Sequence, residues 1–193
     1  ADLSRRDFTM NALAYQPQTG LVDPFGGAAD ISAAVIRCVG DPEQRFQEDG
    51  LRLLRALRFA AQLGFRIEEH TAAALRANSG LLTEISAERI REELTKLLCS
   101  QDVGQVLRDY AYVLGVPIAE IRPMIGFDQH NVHHCYDVWQ HTVAVVENCP
   151  PTQQLRWAAL LHDIGKPSCF SRGQDGVGHF YGHAAAGKEL ATA

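Results

Sequence analysis

The sequence predicts an α+β chain that is mostly α, because a short zone of β-type runs and turns precedes two zones of helical periodicity. Residues 1 to about 40 break repeatedly at Gly, Pro and Asp. From Pro42 onward apolar residues recur at helical spacing, and the last third alternates helical runs with firm Pro and Gly stops. With 193 residues, 46% of them hydrophobic, the chain suits one large domain or two small ones with real cores.

Each element follows from its own signals. Asn11 to Tyr15 and Leu21-Val22 flank the turn Pro17-Gln18-Thr19-Gly20 and read as a hairpin. Pro24-Phe25-Gly26-Gly27 is a second break, Asp30 could cap a short helix, and Val35 to Val39 reads as a strand. A long helix is expected from Pro42 to about Leu63, stopping at Gly64, with a second from Glu68 to Ala77. Ser86 N-caps Ala87 to Leu98, and Gln101 to Tyr112 gives another helix. Pro117 and Pro123 bound a short helical piece before a transition near Gly126-Phe127. Tyr136 to Asn148 and Gln153 to Ile164 are helical, separated by Pro150-Pro151, and Gly165 with Pro167 ends the second. Gly173 to Gly178 is a turn-rich loop, and a new helix starts near His183. No internal repeat or low-complexity segment is present.

A formal net charge of −5 argues against a protein that coats nucleic acid non-specifically, but not against a local basic groove. No apolar run approaches membrane-spanning length, so no membrane partner is expected, and no secretory signal opens the chain. The five cysteines, Cys38, Cys99, Cys135, Cys149 and Cys169, form no CxxC pair. They read as reduced thiols of a cytoplasmic protein, without a structural zinc site. The absence of an initiator methionine, and a close on what reads as a helix cut short, lead us to expect an excerpt of a longer protein.

Two stretches carry chemistry. The first is Arg45 to Phe59, in which Arg52, Arg55 and Arg58 follow Asp49 at three-residue steps. At roughly 100° per residue, Leu53, Leu54, Leu57, Ala60 and Ala61 face a core while the arginines share the other side. Guanidiniums beside a carboxylate could hold a polyanion and read a polar edge, and a solvated polar face is the plainer account. Upstream, Arg5-Arg6-Asp7-Phe8-Thr9-Met10-Asn11 offers arginines for phosphate oxygens and Asp7 or Asn11 for a ribose hydroxyl. A strand end with a surface salt link explains it equally well.

The second stretch holds His141, the adjacent His162-Asp163 pair and His183, each separated by about one helix plus loop. Four independent polar residues would explain them. The adjacent pair, followed by Ile164-Gly165-Lys166-Pro167 and flanked by histidines at matched distances, favours a divalent cation instead, which would make a bound water nucleophilic near neutral pH. His130, His133 and His134 read as rim or packing residues.

From about Phe127 onward the chain resembles the HD superfamily of metal-dependent phosphohydrolases, on His141, His162-Asp163 and, more loosely, His183. That resemblance implies a metal site at these four residues, with His162 and Asp163 catalytic, acting on phosphate esters with a divalent ion such as Mg2+, Mn2+ or Ni2+. It also implies a further aspartate on a later helix, which this chain does not reach. Taken in order, RRDFTMNALAY, DPFGGAADI, RCVGDPEQRFQEDGLRLLRALRFAAQLGF and ISAERIREELTKLL strongly resemble the bacterial class II tRNA nucleotidyltransferases, the CCA-adding enzymes and their poly(A) polymerase relatives. This implies the end of a nucleotidyltransferase head sheet over 1–40, a helical neck and body over 41–125, and a helical HD domain, incomplete at its C-terminus, over 126–193.

The same resemblance places Arg5, Arg6 and Asp7 near the nucleotide's sugar and phosphates, with Asn11 a candidate from its chemistry, and makes Asp49 and Arg52 a protein template for the base. Arg55 and Arg58 continue toward nucleotide and RNA. It implies tRNA, CTP and ATP as partners, and no DNA. The family's Mg2+ carboxylates, a DxD pair after a glycine-rich motif, lie upstream of RRDF and are absent here. Asp23 and Asp30, flanking a Gly-Gly turn, read as structural instead. The 193 residues are therefore expected to select a nucleotide without transferring it. Three functions remain open: the selecting part of a CCA-, A- or poly(A)-adding enzyme, an HD phosphohydrolase acting on RNA or nucleotides, and a non-catalytic RNA-binding scaffold.

Overall fold

The structure is a computed structural model that describes residues 2–18, 20–130, 136–174 and 176–192. The fold is α+β and mostly α, in two compact units, Ala1–Asp102 and Val103–Ala193. His133, His134 and Cys135 lie outside the described residues. No described helix is long and apolar enough to cross a membrane, and Cys38, Cys99, Cys149 and Cys169 are free thiols.

In the first unit, β1 (Ala14–Gln16) and β2 (Gly20–Val22) pair antiparallel, with Tyr15 opposite Leu21. Helix α1 (Gly27–Ser32) is capped by Asp23 rather than Asp30, because Asp23 accepts from the Gly27 and Ala28 amides at 2.7 and 3.0 Å. Asp30 lies inside α1 and takes the Thr9 hydroxyl at 2.6 Å and the Arg37 guanidinium. Strand β3 (Val35–Ile36) pairs in parallel with β4 (Arg66–Ile67). Just beyond β3, Phe8 bridges Cys38, and the amides of Thr9 and Val39 donate to Arg37 O and Asp7 O. These bonds fasten the Arg-Arg-Asp segment alongside the Arg37–Val39 backbone.

The single helix expected from Pro42 to Leu63 is two: α2 (Pro42–Glu48) and α3 (Leu51–Leu63). Asp49 is extended, with φ −157° and ψ 103°. Its Oδ1 accepts the Leu51 amide at 3.1 Å, so it serves the start of the second helix. Gly64, at φ +66°, ends α3 in the left-handed conformation. The buried stripe of α3 includes Leu53, Leu54, Ala56, Leu57 and Ala61, each fully inaccessible. It packs against α5 (Ala87–Leu98), while α4 (Glu69–Ala77) packs against α2, and Phe46, Leu75, Leu82 and Leu97 are buried in this unit. Phe8 and Phe59 meet edge to face with centroids 5.9 Å apart.

The second unit begins with α6 (Val103–Asp109) and α7 (Ala111–Leu114), which break at Tyr110. A 3-10 turn over Ala119–Met124 leads to α8 (Val138–Asn148), opened by a capping box of Asp137 and Gln140. Helix α9 (Gln153–Leu161) ends with His162 at its C-cap. A short antiparallel pair, β5 (Ser171–Arg172) and β6 (Gly178–His179), precedes α10 (His183–Thr192). The core holds Val138, Trp139, Val143, Val146 and Leu160, and the Trp139 indole donates to Leu107 O at 3.2 Å.

Candidate functional sites

In the first unit, the Arg-Arg-Asp segment and the start of α3 border an open pocket of about 500 Å³. Arg5, Arg6, Asp7, Asn11, Asp49, Arg52 and Arg55 line it, together with Leu51, Phe59 and Arg89. The structure thus gathers every candidate nucleotide residue but Arg58. Sequence reasoning missed Arg89 and Phe59. The signal for Arg89 lay in Arg89 and Glu93 falling four apart, on one face of α5.

The polar groups of this pocket are closely paired. Asp7 is buried and accepts from the Phe8 amide and Asn11 Nδ2 at Oδ1, and from Arg55 at Oδ2, 2.8 Å from Nε and 2.7 Å from Nη2. Burial pushes its carboxyl up, but the bonds from Asn11 and Arg55 and the Arg55 charge outweigh that, leaving it below the ordinary carboxylate value of 3.8. Asp7 therefore ties its segment to α3 and aims Arg55. Arg52 donates to Glu48 and Arg45 O from Nη1 at 2.8 and 2.9 Å, and to Arg5 O from Nη2 at 3.2 Å. Asp49 Oδ2 receives Arg89 at 3.0 Å. Arg6 pairs with Asp2 at the exposed rim. Arg58 turns away, binding Glu93 at 2.6 Å and Gln62 at 3.0 Å while its guanidinium covers Phe59.

One consequence concerns pH. A carboxyl held down in the folded state stabilises fully above its unfolded value, and the gain disappears as pH falls through its depressed value. Urea titrations at pH 7 and pH 3 are expected to show the wild type losing more stability than Asp7→Asn. Equal losses would remove Asp7 from the account.

In the second unit, ligand atoms of His141, His162 and Asp163 lie within 4.8 Å of one another. His162 Nε2 stands 3.4 Å from His141 Nε2 and 3.1 Å from Asp163 Oδ2, which is 3.6 Å from His141 Nε2. His183 Nε2 approaches Asp163 Oδ1 at 3.8 Å. His162 Nδ1 and His183 Nδ1 each lie 2.8 Å from a backbone carbonyl, of Ala159 and Phe180. That fixes both tautomers so that Nε2 presents its lone pair to the cluster.

Asp163 is buried, and its Oδ2 has no directed hydrogen bond even though Lys166 Nζ lies 2.8 Å away. Burial pushes Asp163 up, yet His162 and Lys166 beside it hold the carboxyl at about 2, and Asp163 in turn raises His162. Two imidazole nitrogens and an ionised, under-bonded carboxylate oxygen fit a divalent cation. His130, at positive φ, stands 3.3 Å from Asp128 and rests against Phe170, and is not one of the clustered ligands.

The geometry thus offers an arginine-lined pocket at the start of α3 in the first unit and a histidine–aspartate cluster in the second. Residues 1–37 match the poly A polymerase head domain, residues 64–110 the "Probable RNA and SrmB-binding site of polymerase A", and residues 131–193 the HD domain. The A-adding tRNA nucleotidyltransferase of Deinococcus radiodurans is 39% identical over 204 residues, covering 99% of this chain and 46% of that protein. The multifunctional CCA protein of Pseudomonas aeruginosa is 40% identical over 177 residues, covering 86% and 42%. Among solved structures, the Bacillus stearothermophilus CCA-adding enzyme in complex with CTP superposes with a TM-score of 0.66 at 34% identity, covering 86% of this chain and 40% of that one. Over nearly its whole length the chain is similar to bacterial tRNA nucleotidyltransferases and poly(A) polymerases, and its last third matches the HD domain. It spans about half the length of the curated relatives it matches. Both families generally use divalent metals.

Proposed function

We propose that this chain is the nucleotide-selecting and RNA-binding part of an enzyme that adds CTP- or ATP-derived residues to tRNA 3′ ends. The observation that carries the reading is the pocket in which Arg5, Arg6 and Arg55 supply fixed positive charge beside the Asp49–Arg52 edge. Three guanidiniums suit a triphosphate, and a carboxylate next to an arginine offers one acceptor and one donor set to a base. Such polar pairing discriminates strongly, because a wrong base leaves buried partners unmatched. Since Asp49 and Arg52 already bond to Arg89 and Glu48, the base gains its contacts by exchange. On this reading residues 1–40 end the head domain, 41–125 form neck and body, and 126–193 the HD domain. Transfer would need Mg2+ held by carboxylates that these residues do not supply, and on this reading the enzyme works in the cytoplasm. The test is Arg52→Ala in the full-length protein, with competing CTP, ATP and GTP. At least a tenfold loss of selectivity is expected, on the order of one lost base contact, and unchanged selectivity would sink the template assignment.

The His141–His162–Asp163 cluster supports a second activity, metal-dependent hydrolysis of RNA or nucleotide phosphate esters. These residues, with His183 nearby, would hold Mg2+, Mn2+ or Ni2+, which when bound supplies a nucleophilic water and polarises a phosphoryl oxygen. The chain's own contribution is to fix the imidazole tautomers through Ala159 O and Phe180 O and to keep Asp163 ionised. His162→Ala and Asp163→Ala are each expected to abolish Mn2+ binding, read by calorimetry, and any metal-dependent phosphatase activity. Hydrolysis that survives both substitutions would exclude the cluster.

A further inference from the structure

Lys166 is the charged group at the histidine–aspartate cluster for which metal ligation leaves no task. It is 9% exposed, and its neighbours Asp163 and Gln129 are 3% and 1% exposed. Its ammonium lies 2.8 Å from Asp163 Oδ2 and donates to Gln129 Oε1 at 2.9 Å. The Gln129 amide has a fixed orientation, because its Nε2 donates to Tyr136 O at 3.1 Å and so turns Oε1 toward the lysine. The ring of Phe180 stands 5.3 Å from the same ammonium. The lysine thus touches one carboxylate that a cation would want and a second seat that a cation would not.

Resting on the metal reading of the cluster, we propose that Gln129 is a positioning residue that keeps Lys166 paired when Asp163 Oδ2 turns to a divalent cation. A cation held by Asp163 repels the ammonium, and a buried ammonium without an acceptor is costly. With Gln129 in place the lysine moves a short way onto an amide oxygen and an aromatic face, both of which accept a cation without competing for metal. Without Gln129 the ammonium stays on Asp163 and opposes the incoming charge. Gln129 acts only through Lys166 and ligates nothing.

This ordering gives a double-mutant cycle. Mn2+ is titrated into the full chain and the free ion followed by electron paramagnetic resonance. Gln129→Leu is expected to weaken binding about tenfold, and Lys166→Met to tighten it by a similar factor, magnitudes typical of groups just outside a ligand set. The double variant should bind like Lys166→Met alone, whereas an equal Gln129→Leu penalty in both backgrounds would make Gln129 merely structural and overturn the proposal. Because Gln129→Leu also cuts the bond to Tyr136 O, Gln129→Glu provides the control for misfolding. It keeps an acceptor for the lysine and should bind Mn2+ at least as tightly as wild type, and weaker binding would count against the proposal. A wild-type chain that takes up no Mn2+, or a His162→Ala variant that binds it equally well, refutes the metal reading itself. Normal metal binding with no coupling between Gln129 and Lys166 refutes only this inference.

Discussion

Replacing Arg58 with methionine is expected to destabilise the first unit by about 3 kcal/mol, the low end for breaking a buried ion pair. Arg58 Nε meets Glu93 Oε2 at 2.6 Å, with side-chain exposures of 12% and 6%. Methionine keeps the stem that packs on Phe59 but leaves Glu93 charged in a poorly solvated position between α3 and α5. Lys96, 3.6 Å from Glu93 Oε1, compensates in part and holds the cost down. Removing both charges, in Arg58→Met with Glu93→Met, should cost less than Arg58→Met alone, since no charge is then left stranded. Urea unfolding of the single and double variants checks this. A single-variant loss under about 1 kcal/mol would mean the pair behaves as a solvated one.

Gly165→Ala is expected to cost a similar amount, about 3 kcal/mol, and to detach the start of α10. A Cβ at Gly165 would stand 2.2 Å from His183 O and 2.6 Å from Gly187 N. Both are backbone atoms, so no side chain can swing aside and the helix itself must move. His183 would then leave Asp163. Gly187 is the natural control, because its Cβ would meet Gly165 N and Ile164 Cγ1 at 3.5 and 3.7 Å, which is ordinary contact. Gly187→Ala should therefore be tolerated. Thermal melts, with the His183 imidazole resonance as a local readout, separate the two. Equal behaviour of the two alanines would show that α10 does not depend on close approach at Gly165.

The helices were legible because their apolar spacing and their Gly, Pro and Ser boundaries are local features. The break at Asp49-Gly50 was not, since periodicity runs through it undisturbed and only the Asp49 side chain bonding to the Leu51 amide divides the helix. The arginine ladder shows the same limit. Equal steps along a helix gave Arg52, Arg55 and Arg58 one common face, but their partners come from Glu48, Asp7 and Glu93. Spacing reveals a face, whereas a partner forty-eight residues away is set by tertiary contact. Asp7 read as a ribose ligand from its chemistry alone, and only the fold shows its oxygens already engaged. His141, His162 and Asp163 were legible from their types and separations. Gln129 and Lys166 were not, because a glutamine in a loop and a lysine after a helix give no signal until they are seen buried together.

The bridge from Phe8 to Cys38 and the bond from Arg55 to Asp7 also bear on when the pocket forms. Each joins segments far apart in sequence, so each carries a loop-closure cost that the helices around Leu53 and Leu57 do not. The arginine segment docks onto an edge that β3 and α3 must already have built. Hydrogen exchange tests this, with the amides of Thr9 and Val39, which close the seam, expected to open before those of α3. An anion bound across Arg5, Arg6 and Arg55 would act as a clasp that keeps this seam shut.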